Sequence, residues 1–396
     1  MLNIGIVGVV IATAALLLWP RVSRAPLWRA TITPLASIIG SGFLVLGPIL
    51  EVNFGLYAPG VMLALTTMAY AFGAAIRYNI RQIAQRPSRP NPVARIEELA
   101  SLVLAFAYVI SVAYYLNLFG AFGLSLTTLD NPADARLLTT AVFALILFVG
   151  WTRGFSALER LEQLSVGVKL TIIAGLVFGL GVHFADTARS GGLLVNPAQV
   201  TGWPAITLVF GLIVTVQGFE TSRYLGETYD ADTRIRSMKL AQIVSTVIYV
   251  VYIVLLAYAF VPGTMTLDET SIIDMMQIVA PILPVLLVAA ALSAQFSAAV
   301  ADTSGSGGLI AEISRNRVSP RWAYTILVIV GVILTWSFNI FEIISYASRA
   351  FAAYYALQAA IAAVTARSDG RHLTAAGFAA LACVGIAILI FGQPVE

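Results

Sequence analysis

The chain has 396 residues, of which 59% are hydrophobic and only 11% charged, and its mean hydropathy is +0.89. Long uncharged windows such as Arg29 to Glu51 and Glu98 to Asp130 exclude a soluble multidomain protein and predict one apolar span of ~20 residues after another. Two histidines (His183, His372) and one cysteine (Cys383) exclude an intrachain disulfide, a Cys/His zinc cluster and a ladder of haem-ligating histidines.

Windows bounded by charge, Pro and Gly predict twelve transmembrane helices, at about 2–19, 28–50, 54–77, 98–122, 136–152, 160–184, 203–225, 238–261, 285–308, 322–338, 341–365 and 373–392. The predicted class is an all-α polytopic membrane protein, because the apolar runs exceed the ~10 residues of a barrel strand and do not alternate. The first span has no basic segment before it and no small-residue cleavage site, so it reads as a retained helix rather than a signal peptide. Of the 23 Lys and Arg, Arg136 and Arg189 fall on one side of this map, Lys169 and Arg349 lie inside spans, and the other nineteen fall on the opposite side. The positive-inside rule makes that side cytoplasmic, places both termini outside and accounts for the net charge of +3 without a nucleic-acid partner.

The second span is interrupted by Ile39-Gly40-Ser41-Gly42-Phe43, followed by Gly47-Pro48. Gly40 lies about 16 Å along the helix from Arg29, near mid-depth. Unwinding there would aim free N–H groups of the following half-helix at the protein centre, where an anion is favoured. The other reading of these small residues is close helix packing. Residues 78–95, basic and Pro-rich, read as a solvated cytoplasmic loop. The fourth span offers Tyr108, Tyr114, Tyr115 and Asn117 as candidates to line a site. In the sixth span Lys169 lies about 13 Å beyond Arg160, where a lone ammonium costs on the order of 2.5–3.5 kcal/mol and needs a partner.

The seventh span carries a second break, Val216-Gln217-Gly218-Phe219-Glu220-Thr221-Ser222, with Gly218 176 residues after Gly42. A five-helix set begins at each break, and the two sets begin in opposite orientations, which is the pattern of an inverted repeat. Glu220, Arg223 and Glu227 suggest either a salt-bridge chain along one helix face or a gate. After the eighth span, LDETSIIDMMQIVAPIL from Leu267 is amphipathic and predicts an external cap helix. Asp302 in the ninth span stands at a height similar to that of Lys169. Arg349 in the eleventh either pairs with Glu342 or reads an anion from outside.

These motifs resemble those of amino-acid/polyamine/organocation (APC) permeases. Ile39-Gly40-Ser41-Gly42-Phe43 resembles their first-helix signature, Gly218-Phe219-Glu220 with Tyr224-Leu225-Gly226-Glu227 their sixth-helix signature, and Ser165-Val166-Gly167-Val168-Lys169-Leu170 their lysine-bearing fifth helix. The resemblance implies a LeuT-type 5+5 inverted repeat: residues 1–26 as an extra helix and loop, 27–190 and 191–366 as the repeats, and 367–396 as a final helix. It also implies a substrate carboxylate on the Ser41 and Gly42 amides, an amino group on carbonyls near Gln217 to Phe219, and an outer gate using Phe219 or Glu220. In that fold the helices of Lys169 and Asp302 are neighbours at the sodium position, so a Lys169–Asp302 pair would put the ammonium where Na⁺ would sit and would carry a coupling proton.

The extra first helix, the external N-terminus and the stretch from Leu292-Ser293-Ala294-Gln295-Phe296-Ser297 to Leu309-Ile310-Ala311-Glu312 look more like sodium:solute symporters. That similarity implies a Na⁺ site made by the Ala36 and Ile39 carbonyls with the Ser297 or Thr303 hydroxyls. An enzyme is disfavoured because no nucleophile with a base and no metal set is present, and a metal carrier because neither break supplies a soft or carboxylate ligand. A sensor is expected to carry an output domain, and here the sequence closes four residues after Gly392. The expectation is a cofactor-free secondary transporter in the bilayer, moving a small amino acid or amine with H⁺ or Na⁺. Its many Arg and Ala hint at a bacterial inner membrane.

Overall fold

The computed structural model describes the chain except residues 41, 86–90, 153–155, 227, 261–266 and 396, and for 91–92 and 156–165 it describes the backbone alone. Among the described residues there are helices and no strands. The elements run α1 (Leu2–Leu18), α2 (Pro20–Ser23), α3 (Pro26–Ile38), α4 (Gly42–Phe54), α5 (Ala58–Gln85), α6 (Asn91–Leu124), α7 (Pro132–Thr152) and α8 (Ser156–Arg189). They continue with α9 (Gly202–Gly211), α10 (Ala231–Ala257), α11 (Ser271–Val279), α12 (Leu283–Ile313), α13 (Pro320–Ser337), α14 (Ile340–Ser368) and α15 (His372–Phe391). Eight of the described stretches are long and apolar enough to cross a membrane, with α1 and α9 as shorter apolar helices, so the chain is an all-α polytopic membrane protein.

Local chemistry sets the helix ends. Pro26 and Pro320 occupy first turns, where a missing N–H costs nothing. Asp230 caps α10 by accepting from Thr233 N at 2.7 Å, and this bond to its carboxylate holds the Asp230 pKa below its ordinary value. Asn339 and Glu342 form a reciprocal capping box at the start of α14.

The expected solvated loop at 78–95 is in large part helix, since α5 runs on to Gln85 and α6 begins at Asn91. The polar residues ending α5 are used in packing: Arg77 lies over the Tyr70 ring and bonds Gln242, and Gln82 bonds Asp369 at 3.1 Å. α11 occupies the predicted cap position. Burial, reinforced by Asp268 and Asp130, raises the Glu269 carboxyl above its ordinary value just before it, and the same causes raise Asp274 within it.

Packing follows a two-fold pattern. The Phe219–Tyr224 turn lies on α3, α10 on α5, α12 on α6 and α13 on α7, while α14 lies on α6 as α8 lies on α12. α6 is the central helix, 72% of its apolar window being buried, whereas α15 buries 17% and keeps an apolar flank outward. α1 rides on α8 and α15 on α14, outside the symmetric pairs.

Candidate site at the crossing of two interrupted helices

The predicted second span is two helices, with α3 ending at Ile38, Ile39 leaving helical geometry (φ −83°, ψ 59°) and α4 starting at Gly42. A helix that stops inside an apolar bundle leaves carbonyls without partners. Two long side chains reach them: Lys169 Nζ from α8 donates to the Ala36 carbonyl at 3.0 Å, and Tyr249 Oη from α10 donates to the Ile38 carbonyl at 3.0 Å.

The predicted seventh span breaks more fully. α9 ends at Gly211, a 3₁₀ turn spans Ile213–Val216, Gln217 is extended, and a second 3₁₀ turn covers Phe219–Tyr224. Gly218 at the centre has φ +113°, a region closed to most L-residues. Ser348 from α14 joins the ends of this break, donating to the Gly211 carbonyl at 2.6 Å and accepting from Val214 N at 3.0 Å. Tyr249 Oη also lies 2.8 Å from the Thr215 carbonyl, so one hydroxyl touches both breaks.

The breaks cross reciprocally. A Cβ at Gly42 would lie 2.7 Å from Thr215 Cα, and a Cβ at Gly218 would lie 2.6 Å from Ser37 carbonyl carbon. Each glycine leaves the space that the other break's backbone fills, which is the close-packing role of small residues. Ser41 lies outside the described residues; Ile39 and Phe43 are each 1% exposed, with Phe43 packed on Tyr249 and Tyr252.

Buried polar side chains surround this crossing. Glu220 accepts from Gly218 N at 3.0 Å and from Tyr355 Oη at 2.9 Å through Oε2, while Oε1 has no hydrogen-bond partner among the described residues. Gln217 donates to Tyr115 Oη at 2.9 Å and leaves its own Oε1 unpaired among those residues. Phe219 stacks on Tyr355 with ring centroids 5.1 Å apart, and Tyr114 packs beside Tyr115 at 5.0 Å. Asp302 accepts from Ser111 Oγ of α6. Tyr108 and Tyr115 are within electrostatic reach of both Asp302 and Glu220. Lys169 and Asp302 are both buried and stand on the packed pair α8 and α12. Thr303 is buried and donates back to the Ala299 carbonyl at 2.6 Å, and Ser297 is half-buried on the same helix.

Other sequence candidates lie elsewhere. Arg223 extends no chain with Glu220 but bonds Glu97 of α6 and Gln358 of α14; Glu227 is outside the described residues. Gln358 is also bonded by Asn79 of α5 at 2.9 Å, which makes a buried polar lock at the arginine-rich end. Asn117 turns to Thr335 of α13 at 2.8 Å rather than to the crossing. Arg349 does not pair with Glu342, which is consumed by the capping box, but donates to the Leu389 carbonyl at 2.7 Å. Tyr249, Ser348, Tyr355 and Ser111 are absent from the sequence reading. Their one signal was a polar group in an apolar span, which must find a partner.

Two interrupted helices that cross in mid-bundle, with polar side chains from α6, α8, α10 and α14 closing on the breaks, define a helical membrane protein of the carrier type. A sequence profile of APC superfamily transporters matches residues 20–392, and the chain belongs to that superfamily. It is 42% identical over 384 residues to an uncharacterized protein of Aquifex aeolicus (strain VF5), covering 95% of this chain and 93% of the relative.

Proposed function

We propose that this transporter is a secondary carrier of a small amino acid or amine, working by alternating access about a LeuT-type inverted repeat and coupled to protons through Lys169 and Asp302. The two-fold packing pattern and the crossed breaks favour the repeat, and the distribution of Lys and Arg favours both ends of the chain outside. Substrate would be held by Ile39 to Phe43, Gln217 to Phe219 and Tyr114, with Glu220 as gate. The observation that carries proton coupling is the bond from Lys169 Nζ to the Ala36 carbonyl. An ammonium on that carbonyl takes a position that a Na⁺ site built on Ala36, Ile39, Ser297 and Thr303 would need.

The test is the thermal midpoint of purified protein against amino acids, polyamines, nucleobases and sugars, with and without Na⁺, since a ligand of the folded state raises the midpoint. An amino acid or amine is expected to raise it without Na⁺, and Lys169→Ala is expected to keep that binding while losing proton-driven uptake. A shift that requires Na⁺, or unchanged uptake by Lys169→Ala, would overturn the proton reading.

A further inference from the structure

α15 lies outside the two-fold pairs, yet the segment after it turns back onto the second break. Gln393 N donates to the Thr207 carbonyl of α9 at 3.0 Å, and Thr207 Oγ1 lies 3.2 Å from Gln393 Oε1. One turn further, at the end of α9, Gly211 has no room for a side chain: a Cβ there would overlap the Gln393 carbonyl oxygen and lie 2.8 Å from its carbonyl carbon. α14 holds the same segment from the other side, with Ser345 Oγ donating to the Gly392 carbonyl at 3.4 Å and Arg349 capping the last turn of α15. Val395 is 6% exposed. Residues 392–395 therefore bridge α9 and α14 beside Gly211, where the second break begins.

We propose that residues 392–395 form a strap that clamps α9 to α14, so that α9 hinges about the break only after Gln393 leaves Thr207 and Gly211. The inference rests on the alternating-access reading, in which the half-helix before the break is a moving part. The bonds that bind the strap are few and neutral, and each shifts a two-state population by roughly fivefold. That strength suits a latch that opens repeatedly rather than a permanent staple. Arg349 acquires a role here as well, since it fixes the point from which the strap departs.

Spin labels at the exposed positions Ile206 of α9 and Ser337 of α13, introduced as cysteines in a Cys383→Ser background, report the α9 position by their distance distribution in lipid nanodiscs. Gly211→Ala, which drives a methyl into Gln393, and Gln393→Pro, which removes the donor N–H, are each expected to enlarge a longer-distance population by roughly fivefold or more. A Thr207→Cys/Gln393→Cys disulfide, closed before the two label positions are modified through thioethers, is expected to suppress that population. The disulfide joins residues already in contact, so it decides the matter even where Gly211→Ala misfolds. Distributions that do not respond to strap release or to the disulfide would overturn the strap. The distances need no substrate, so a failed solute panel would leave this result standing, and a failed strap would leave the transport reading intact.

Discussion

Replacing Gly42 by Ala adds one methyl at the point where the two breaks touch. Its Cβ would meet Thr215 Cα at 2.7 Å, Thr215 Cβ at 2.8 Å and the Thr215 carbonyl oxygen at 2.9 Å. Carbon atoms settle at about 3.5–4.0 Å, so the segments must part by about 1 Å, and no rotamer change relieves a clash with backbone. Overpacking of this kind costs about 1–3 kcal/mol. The gain in helix propensity at this first helical residue offsets less than about 1 kcal/mol. The net expectation is a lower thermal midpoint in detergent for Gly42→Ala and a larger drop for Gly42→Val, with ligand-induced stabilisation lost in the Val variant. Thr215→Gly should rescue Gly42→Ala in part, because it removes Cβ but leaves Cα and the carbonyl oxygen. A Gly42→Ala protein as stable as the parent would refute the crossing geometry, and full rescue by Thr215→Gly would refute the backbone contact.

Two further outcomes follow from charges at the ends of the bundle. Arg223→Met removes the guanidinium from Glu97 in a site where the two side chains are 9% and 23% exposed, so a loss of about 1.5–3 kcal/mol is expected; Arg223→Met with Glu97→Gln should lose clearly less, and equal losses measured by chemical unfolding would show that the pair does not act together. In the cap, burial raises the Glu269 carboxyl above its ordinary 4.5, so the folded state holds a proton that the unfolded chain releases. That contribution is full below about pH 4.5 and is lost as pH rises through the folded value. Glu269→Gln should therefore flatten the pH dependence of the midpoint just above pH 4.5, and an unaltered slope would count against it.

What the sequence disclosed and what it hid divide along one physical line. Apolar windows mark the helices because water is excluded from the whole length of a span. Gly218 announces its break because a φ of +113° demands a glycine, and Gly40 and Gly42 mark the first one by the density of small residues. The partners of the breaks were not legible. Tyr249 is 211 residues from Ile38, and Ser348 is 137 residues from Gly211. Neither belongs to a local pattern, because a hydroxyl on an apolar helix looks the same whether it bonds its own backbone, as Thr303 does, or another helix. Arg223 misled for a related reason: i+3 spacing from Glu220 is a local signal, and both side chains are taken by distant partners, Glu220 by Tyr355 and Arg223 by Glu97 and Gln358.

The same accounting suggests why the crossing can be both firm and movable. Four carbonyls at the breaks are bound to side chains on other helices: the Ala36 carbonyl to Lys169, the Ile38 and Thr215 carbonyls to Tyr249, and the Gly211 carbonyl to Ser348. Tyr249 has one proton for two carbonyls, so when one half-helix moves away the proton passes fully to the other, and less than a whole hydrogen bond is lost. A continuous helix would forfeit its i to i−4 bonds outright for the same displacement, each exposed group costing several kcal/mol in an apolar medium. Satisfying carbonyls at the breaks from other helices therefore lowers the cost that a displacement of either half-helix would carry.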